Sequence, residues 1–215
     1  MPRRPKPAPA TVVLLVRHGQ TPTTGTTLPG RAKGLHLSDK GRHQAETVAE
    51  RIDGVQKIAA VYTSPLERTR ETAAPIGRAI GQRPRVDRGL LECDFGTWTG
   101  RPLKELRKLP EWKTVQRYPS GFRFPEGESF AEMQTRITGA LGRLVSRHPG
   151  ETIVAVSHAD PIKAAVADAL GTHLDLFQRI VIAPCSVTAI WFSAEGPAVL
   201  TTNSTGNDLT GLALA

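Results

Sequence analysis

Short apolar runs alternate along the chain with segments whose apolar residues recur at helical spacing. The runs are rich in β-branched residues and predict buried strands at 12–16, 58–62, 153–156, 187–192 and 198–200. Apolar residues at three- and four-residue steps predict helices at about 40–53, 64–80, 129–144 and 160–171. This alternation predicts an α/β fold, a three-layer sandwich whose mostly parallel central sheet carries helices on both faces.

Two of these helices carry start signals. Ser64 is the expected N-cap of the second helix, and Glu67 completes a capping box there. Ser129 and Glu132 form the same pattern before the third helix. The first signal places Arg68 on the opening turn of a helix that follows the second strand.

The stretch of about 89–128 interrupts the alternation with glycines, prolines and two tryptophans, Trp98 and Trp112. We expect it to form loops and short helices that lie like a lid over the carboxyl edge of the sheet, where open α/β sheets bind ligands. The tryptophans are interpreted as packing residues of this lid. We predict a single domain over 11–215, preceded at 1–10 by a disordered, basic, proline-rich arm.

Charge and composition narrow the possible partners. The chain has a formal net charge of +8, but aromatic residues make up only 5% and are not interleaved with the basic ones. This favours a positive pocket for a small anionic substrate over nucleic-acid binding. The apolar run at 12–16 is far too short to span a membrane. Cys93 and Cys185 are far apart and form no CxxC pair, so we expect free thiols in a reducing cytoplasm and no zinc site.

Polar residues follow two of the predicted parallel strands directly. Arg17 and His18 come after the first strand, and His158 comes after the strand at 153–156. Because parallel strands end on the same edge of a sheet, these side chains and Arg68 are expected to converge. Arginine forks bind phosphate through two hydrogen bonds, and amides at helix starts add positive dipoles. The pattern therefore favours a phosphate site.

Six motifs in order resemble the histidine phosphatase superfamily, whose best-known branch is cofactor-dependent phosphoglycerate mutase. They are RHGQT at 17–21, LSDKGRHQA at 37–45, SPLERTRETA at 64–73, LLECDFGTWTG at 90–100, PEGESF at 125–130 and VSHADPIK at 156–163. Two further segments, at 99–106 and 170–180, are similar to an actinobacterial branch of phosphomutase or phosphoglycerate mutase-like proteins. The resemblance to that branch does not identify a substrate for this chain.

The resemblance implies a metal-independent reaction through a phosphohistidine. His18 would be the nucleophile, and Arg17, Arg68 and His158 would hold the phosphoryl oxygens. Glu92 would protonate the leaving alcohol and then activate water. No metal or other cofactor is implied. The implied substrate contacts come from Arg17, Gly19, Gln20, Thr21, Thr24, Arg68, Glu92, His158 and Ala159.

Two positions depart from the family pattern. Thr24 stands where relatives often have Asn, and Ala159 stands where Gly usually follows the second histidine. Phosphate contacts from the threonine-rich loop at 21–28 therefore rest less on the resemblance than those from the histidines and arginines. Four basic residues are candidates for the far end of the substrate, although a solvated surface role is the better interpretation for each: Arg31, Lys33, Lys104 and Arg123.

We expect a phosphoric monoester hydrolase of the histidine acid phosphatase type that acts on a small phosphorylated metabolite. The alternative is a cofactor-dependent phosphomutase, but that branch resembles longer chains with insertions and a tail over the site, so hydrolysis is favoured. A non-catalytic binding module should lack one of the two histidines or two arginines, and none is missing. We expect a small-molecule partner, no nucleic acid and no membrane, and leave a homodimer open.

Overall fold

The computed structural model describes residues 9–55, 57–206 and 209, so most of the predicted arm at 1–10 lies outside the described residues. Six strands are present: β1 Thr11–Arg17, β2 Ile58–Thr63, β3 Arg85–Val86, β4 Thr152–Ser157, β5 Val187–Ser193 and β6 Gly196–Ser204. The helices are α1 Asp39–Asp53, α2 Glu67–Ala79, α3 Leu103–Leu106, α4 Glu111–Arg117, α5 Phe130–Arg147 and α6 Ala159–Ala169.

The strands form one sheet in the order β3-β2-β4-β1-β5-β6. The neighbours among β1 to β4 pair in parallel, whereas β5 runs antiparallel to both β1 and β6. The predicted α/β class with a mostly parallel sheet is confirmed. Because the carboxyl ends of β1, β2 and β4 share one edge, the residues that follow these strands are brought together.

Alternate residues of β1 enter two separate cores, as the period of a strand requires. Val13 and Leu15 pack in the cluster that contains residues of α5 and α6. Val12, Leu14 and Val16 pack in the cluster that contains residues of α1 and α2. The sheet is therefore covered on both faces, which explains why its central strands are continuous apolar runs.

One predicted helix start is confirmed and the other is wrong. Ser129 and Glu132 form the expected capping box at α5. Helix α2 begins at Glu67 after Leu66, without a side-chain cap. The Ser64 backbone N–H donates to the Val156 carbonyl at 3.0 Å and so extends the pairing of β2 with β4. Ser64 is therefore held at the strand end rather than at the helix start, and its hydroxyl is available to the site described below.

The stretch at 89–128 folds as short 3-10 turns together with α3 and α4. Within the stretch, Trp98 is buried and stacks on Trp112 at 6.4 Å between ring centroids. Phe124 attaches it to α5, since its ring centroid lies 5.1 Å from that of Phe130. Gly96 has φ +50, and a Cβ there would lie 1.9 Å from the Pro125 carbonyl oxygen, so this close approach requires glycine. Within the described ranges, no helix has both the length and the apolar character that crossing a membrane requires.

Candidate active site

Two histidines lie side by side at the carboxyl edge of the sheet. Arg17 pairs with Ser157 at the ends of β1 and β4, so His18 and His158, which directly follow the two strands, are neighbours. The His18 backbone N–H donates to the Ser157 carbonyl at 3.0 Å, and the two imidazole centroids are 5.2 Å apart. The predicted convergence of the two strand ends is thus seen directly.

The hydrogen bonds of His18 assign its proton to Nδ1. Nδ1 lies 2.7 Å from the Gly19 carbonyl oxygen, which can only accept, while Nε2 accepts from Arg68 Nε at 3.3 Å. Burial and the nearby guanidinium groups of Arg68 and Arg17 hold the pKa of His18 well below its ordinary value. The imidazole is therefore neutral, with the Nε2 lone pair directed toward Arg68.

The two arginines are anchored by main-chain carbonyls and keep donors free. Arg17 Nη1 donates to the Ile182 carbonyl at 2.6 Å, and Arg68 Nη2 donates to the Gly30 carbonyl at 2.7 Å. Arg17 Nε and Arg68 Nη1 are buried without a partner among the described residues. Buried polar atoms in native proteins are nearly always paired, so these two donors indicate a place for an anion.

His158 is fully buried behind His18. Its Nε2 lies 2.9 Å from Ser64 Oγ, whereas its Nδ1 has no partner among the described residues. Burial, together with Arg68 and His18, holds the pKa of His158 well below its ordinary value. Ser64 thus orients the second imidazole, which is a role that its sequence motif did not predict.

Glu92 is the carboxyl group of the site, and it is buried, with only 6% exposed. One carboxyl oxygen accepts from the Cys93 backbone N–H at 2.9 Å. Burial and the nearby Asp160 carboxylate raise the pKa of Glu92 to about 7, against the opposing effect of Arg68. A carboxyl group with this pKa is half protonated near neutral pH and can either donate or accept a proton there.

Arg136 of α5 holds the loop that carries Glu92 through hydrogen bonds to its main-chain carbonyls. Arg136 Nη1 donates to the carbonyls of Gly89 and Leu91 at 2.9 and 2.8 Å, and its Nη2 donates to that of Glu92 at 3.2 Å. A two-point ion pair with Glu128, at 2.8 and 2.9 Å, fixes the orientation of the same guanidinium. Arg136 was missed by the sequence reasoning, because an arginine on a helix resembles any solvated surface residue.

A cavity of about 380 Å³ opens beside these groups. Six of the predicted site residues line it, namely Arg17, His18, Thr21, Thr24, Glu92 and Ala159. Thr24 Oγ1 accepts from the Thr21 backbone N–H at 2.9 Å, so this threonine also closes its own loop. Arg68 and His158 are not part of the lining; they are fully buried around His18.

Gly19 and Gln20 are not brought to this cavity. The Gly19 N–H donates to Thr72 Oγ1 at 3.1 Å, and the Gln20 N–H donates to Gln44 Oε1 at 3.0 Å. A Cβ at Gly19 would lie 2.5 Å from the Gly41 carbonyl oxygen, so this glycine allows α1 to approach the loop after β1. Their contacts in the structure are with α1 and α2 rather than with the space beside His18.

The four basic candidates for the far end of the substrate lie elsewhere. Arg31 pairs with Asp94 at 3.2 Å and with Glu128 at 2.9 Å, and Arg123 pairs with Glu132 at the surface. Lys33 and Lys104 are exposed. None of the four lines the cavity. Within residues 9–55, 57–206 and 209, no three His, Cys, Asp or Glu side chains are grouped as metal ligands would be.

Comparison with known proteins finds the same architecture and closely related sequences. A family model described as histidine phosphatase superfamily (branch 1) matches residues 13–205. Phosphoserine phosphatase 1 of Hydrogenobacter thermophilus is 30% identical over 198 residues, which cover 90% of this chain and 92% of the relative. Phosphoglycerate mutase-like protein 4 of Arabidopsis thaliana is 36% identical over 156 residues, which cover 71% and 68%.

A solved structure provides the spatial counterpart. A phosphoserine phosphatase mutant from Entamoeba histolytica, in complex with phosphoserine, is similar with a TM-score of 0.83 and 28% identity. The similarity covers 93% of this chain and 100% of that one. The central sheet and the helices that cover it are therefore shared with this protein over nearly the whole domain.

Proposed function

The chain belongs to the histidine phosphatase superfamily, and we propose that it hydrolyses phosphomonoesters through a phosphohistidine formed on His18. One observation carries the proposal: a neutral imidazole, oriented by the hydrogen bond from Arg68 Nε to its Nε2, lies beside two arginines that keep buried donors free. The two relatives named as phosphoserine phosphatases support hydrolysis as the reaction class. The general class is a phosphoric monoester hydrolase; the family that matches is distinct from the histidine acid phosphatases expected from the sequence.

In the first step, His18 Nε2 attacks phosphorus, so a P–N bond forms as the ester P–O bond breaks. Arg17 Nε, Arg68 Nη1 and His158 Nδ1 are the groups free to bind the phosphoryl oxygens. Donors that are fixed before the reaction stabilise the charge of the transition state without reorganisation. Glu92, in its protonated form, gives its proton to the leaving oxygen.

In the second step, the Glu92 carboxylate takes a proton from a water molecule as that water attacks phosphorus. The P–N bond breaks, inorganic phosphate leaves, and His18 returns to its neutral form. Glu92 regains the proton that it lost in the first step, so the cycle balances. A pKa of about 7 suits both halves, because the same group must give and take a proton at one pH.

The proposal is tested by His18→Ala, compared with His43→Ala on the exposed side of α1. We expect His18→Ala to lower the hydrolysis of p-nitrophenyl phosphate at least about 1,000-fold, with an unchanged urea unfolding midpoint. His43→Ala should behave as the unaltered protein. Acid-labile phosphate trapped on the protein during turnover should disappear only in the first variant. Retained activity in His18→Ala would overturn the mechanism.

A phosphomutase is the second candidate, because the Arabidopsis relative is named phosphoglycerate mutase-like. A mutase must keep its phosphohistidine from water until the intermediate rebinds. Here Val181 lines the cavity and is 67% exposed, which favours access of water to the intermediate. Assays with 3-phosphoglycerate, with and without bisphosphoglycerate, separate the two: mutase turnover faster than phosphate release would replace hydrolysis.

The cytoplasmic location, the homodimer and the actinobacterial branch stay predictions. The location rests on Cys93 and Cys185, which are both buried and unpaired. Light scattering of the purified protein measures the homodimer directly.

A further inference from the structure

Beyond the catalytic groups, the wall of the cavity is mainly apolar. The loop at 21–28, the stretch at 89–128 and the segment that precedes β5 contribute six large apolar side chains, namely Leu28, Phe95, Leu103, Ile180, Val181 and Ile182. A second cavity of about 240 Å³ adjoins it, since Leu28, Phe95 and Leu103 line both. The group attached to the phosphate therefore meets hydrocarbon over most of its surface.

The charged groups of this wall cancel one another. Lys163 is the only cation besides Arg17 among the described residues that line the two cavities. Its Nζ lies 3.2 Å from Asp160 Oδ1 and 3.1 Å from Gln178 Oε1, and 5.7 Å from the centre of the Phe177 ring. The Lys163 and Asp160 side chains are 17% and 19% exposed, so water screens their attraction only partly.

Binding a substrate that carries a carboxylate would be unfavourable in this cavity. The carboxylate would lie against apolar side chains, and Lys163, the cation that lines the cavity apart from the phosphate-binding Arg17, is already paired with Asp160. The negative charge of Asp160, and that of Glu92 once ionised, would repel it. Burying a charge without a partner is strongly unfavourable, whereas burying hydrocarbon is favourable.

We propose that this chain is selective for phosphomonoesters with an uncharged, largely apolar leaving group and discriminates against leaving groups that carry a carboxylate. This inference rests on the proposed hydrolase function and names the substrate class of the same site. It separates the chain from the similar proteins that are named phosphoserine phosphatases, because phosphoserine carries a carboxylate next to its ester.

The test compares substrates that differ mainly in the charge or length of the leaving group. We expect kcat/KM for 4-methylphenyl phosphate to exceed that for 4-carboxyphenyl phosphate at least about tenfold. From ethyl to butyl phosphate, kcat/KM should rise about two- to fourfold for each added CH2 group. Phosphoserine and 3-phosphoglycerate should be poorer substrates than butyl phosphate.

A cation placed on the wall should remove most of this selectivity. Val181→Lys puts a cation at an exposed position that lines the cavity, and Val86→Lys makes the same change at the exposed edge strand β3, outside both cavities. We expect Val181→Lys to raise kcat/KM for the carboxylated aryl phosphate, relative to its methyl counterpart, by about tenfold. Val86→Lys should leave the ratio unchanged.

The outcomes separate this inference from the function on which it rests. Hydrolysis that favours phosphoserine or 4-carboxyphenyl phosphate over the uncharged substrates would overturn the selectivity while leaving the hydrolase in place. An absence of phosphate release from every substrate, p-nitrophenyl phosphate included, would overturn both. An equal rise of the carboxylate ratio in Val181→Lys and Val86→Lys would assign the effect to net charge and contradict the role of the cavity wall.

Discussion

His18 and Glu92 line the same cavity, and burial shifts the pKa of each group in the direction that favours its neutral form. It lowers the pKa of His18 and raises that of Glu92 to about 7, because burial disfavours the charged form of both groups. A neutral imidazole is the form that can attack phosphorus, and a protonated carboxyl is the form that can protonate an alcohol. The same physical cause thus prepares a nucleophile and an acid.

Asp160 is the neighbour that raises the pKa of Glu92 most after burial itself. If Glu92 is the acid, kcat/KM for an alkyl phosphate falls as the pH rises through about 7, because Glu92 then loses its proton. Asp160→Asn removes the neighbouring negative charge and should move this fall to lower pH. At pH 8 we expect kcat/KM about three- to tenfold below that of the unaltered protein.

The control for this change is Asp168→Asn, at an exposed position further along the same helix. Its pH profile should match that of the unaltered protein. p-Nitrophenyl phosphate, whose leaving group needs little protonation, should show a much smaller shift than the alkyl phosphate. A profile of Asp160→Asn that is unchanged, or moved to higher pH, would contradict the coupling of the two carboxyl groups.

The positions of the residues proposed as catalytic were predictable from the sequence, whereas the residues that support them were not. His18 and His158 each follow a buried parallel strand, and that position alone brings them to one edge of the sheet. Ser64 acts through a hydrogen bond to the His158 ring, and Arg136 acts through hydrogen bonds to three main-chain carbonyls. Such contacts join distant parts of the chain, and no local pattern records them.

At the scale of elements, the long segments were predicted and the short ones were not. β1, β4 and α5 have continuous runs or regular spacing, which are strong signals. β3 consists of two exposed residues, Arg85 and Val86, so it buries nothing that a pattern could reveal. The antiparallel direction of β5 also depends on how its connection passes the sheet, which apolar spacing does not encode.

Helix α5 holds the loop of Glu92, the proposed acid, through a single side chain, Arg136. Arg136→Lys keeps the charge but loses the planar fork that reaches three carbonyls and Glu128 at once. The Glu92 loop then loses its support. We expect kcat for an alkyl phosphate to fall about 10- to 100-fold, with KM little changed.

Two comparisons distinguish positioning of Glu92 from a general loss of structure. p-Nitrophenyl phosphate should lose much less activity than the alkyl phosphate, because its leaving group depends less on the acid. Arg143→Lys, two turns further along α5 and 3.7 Å from Asp87, is the matched control and should change neither rate much. Equal losses on both substrates in Arg136→Lys would argue against a specific role in placing Glu92.

At the scale of the whole molecule, the fold buries polar groups of the site that would be more stable in contact with water. Arg68, His158 and Glu92 are all buried, and two of their polar atoms, Arg68 Nη1 and His158 Nδ1, have no partner in the described part of the chain. Unpaired buried polar groups cost stability. Two apolar clusters on the faces of one sheet provide the rigidity that keeps these groups in place.

Glu92 makes this cost measurable as a dependence of stability on pH. Its pKa in the folded protein is about 7, above the ordinary value of 4.5, so the folded state holds a proton that the unfolded state has released between these values. The stability contributed by the protonated carboxyl is therefore fully present below about pH 4.5 and is lost as the pH rises through about 7. Glu92→Gln cannot ionise and avoids this loss.

We therefore expect Glu92→Gln to gain about 2 kcal/mol in free energy of unfolding, relative to the unaltered protein, between pH 5 and pH 8. Urea unfolding of both proteins at the two pH values measures this difference, and the contribution of the buried histidines largely cancels because both proteins contain them. Glu50→Gln, on the exposed side of α1, is the control and should show no such gain. A Glu92→Gln protein that gains nothing at pH 8 would mean that Glu92 ionises freely in the folded state. The general acid would then have to be sought in another group that faces the cavity, with Asp160 as the first to be tested.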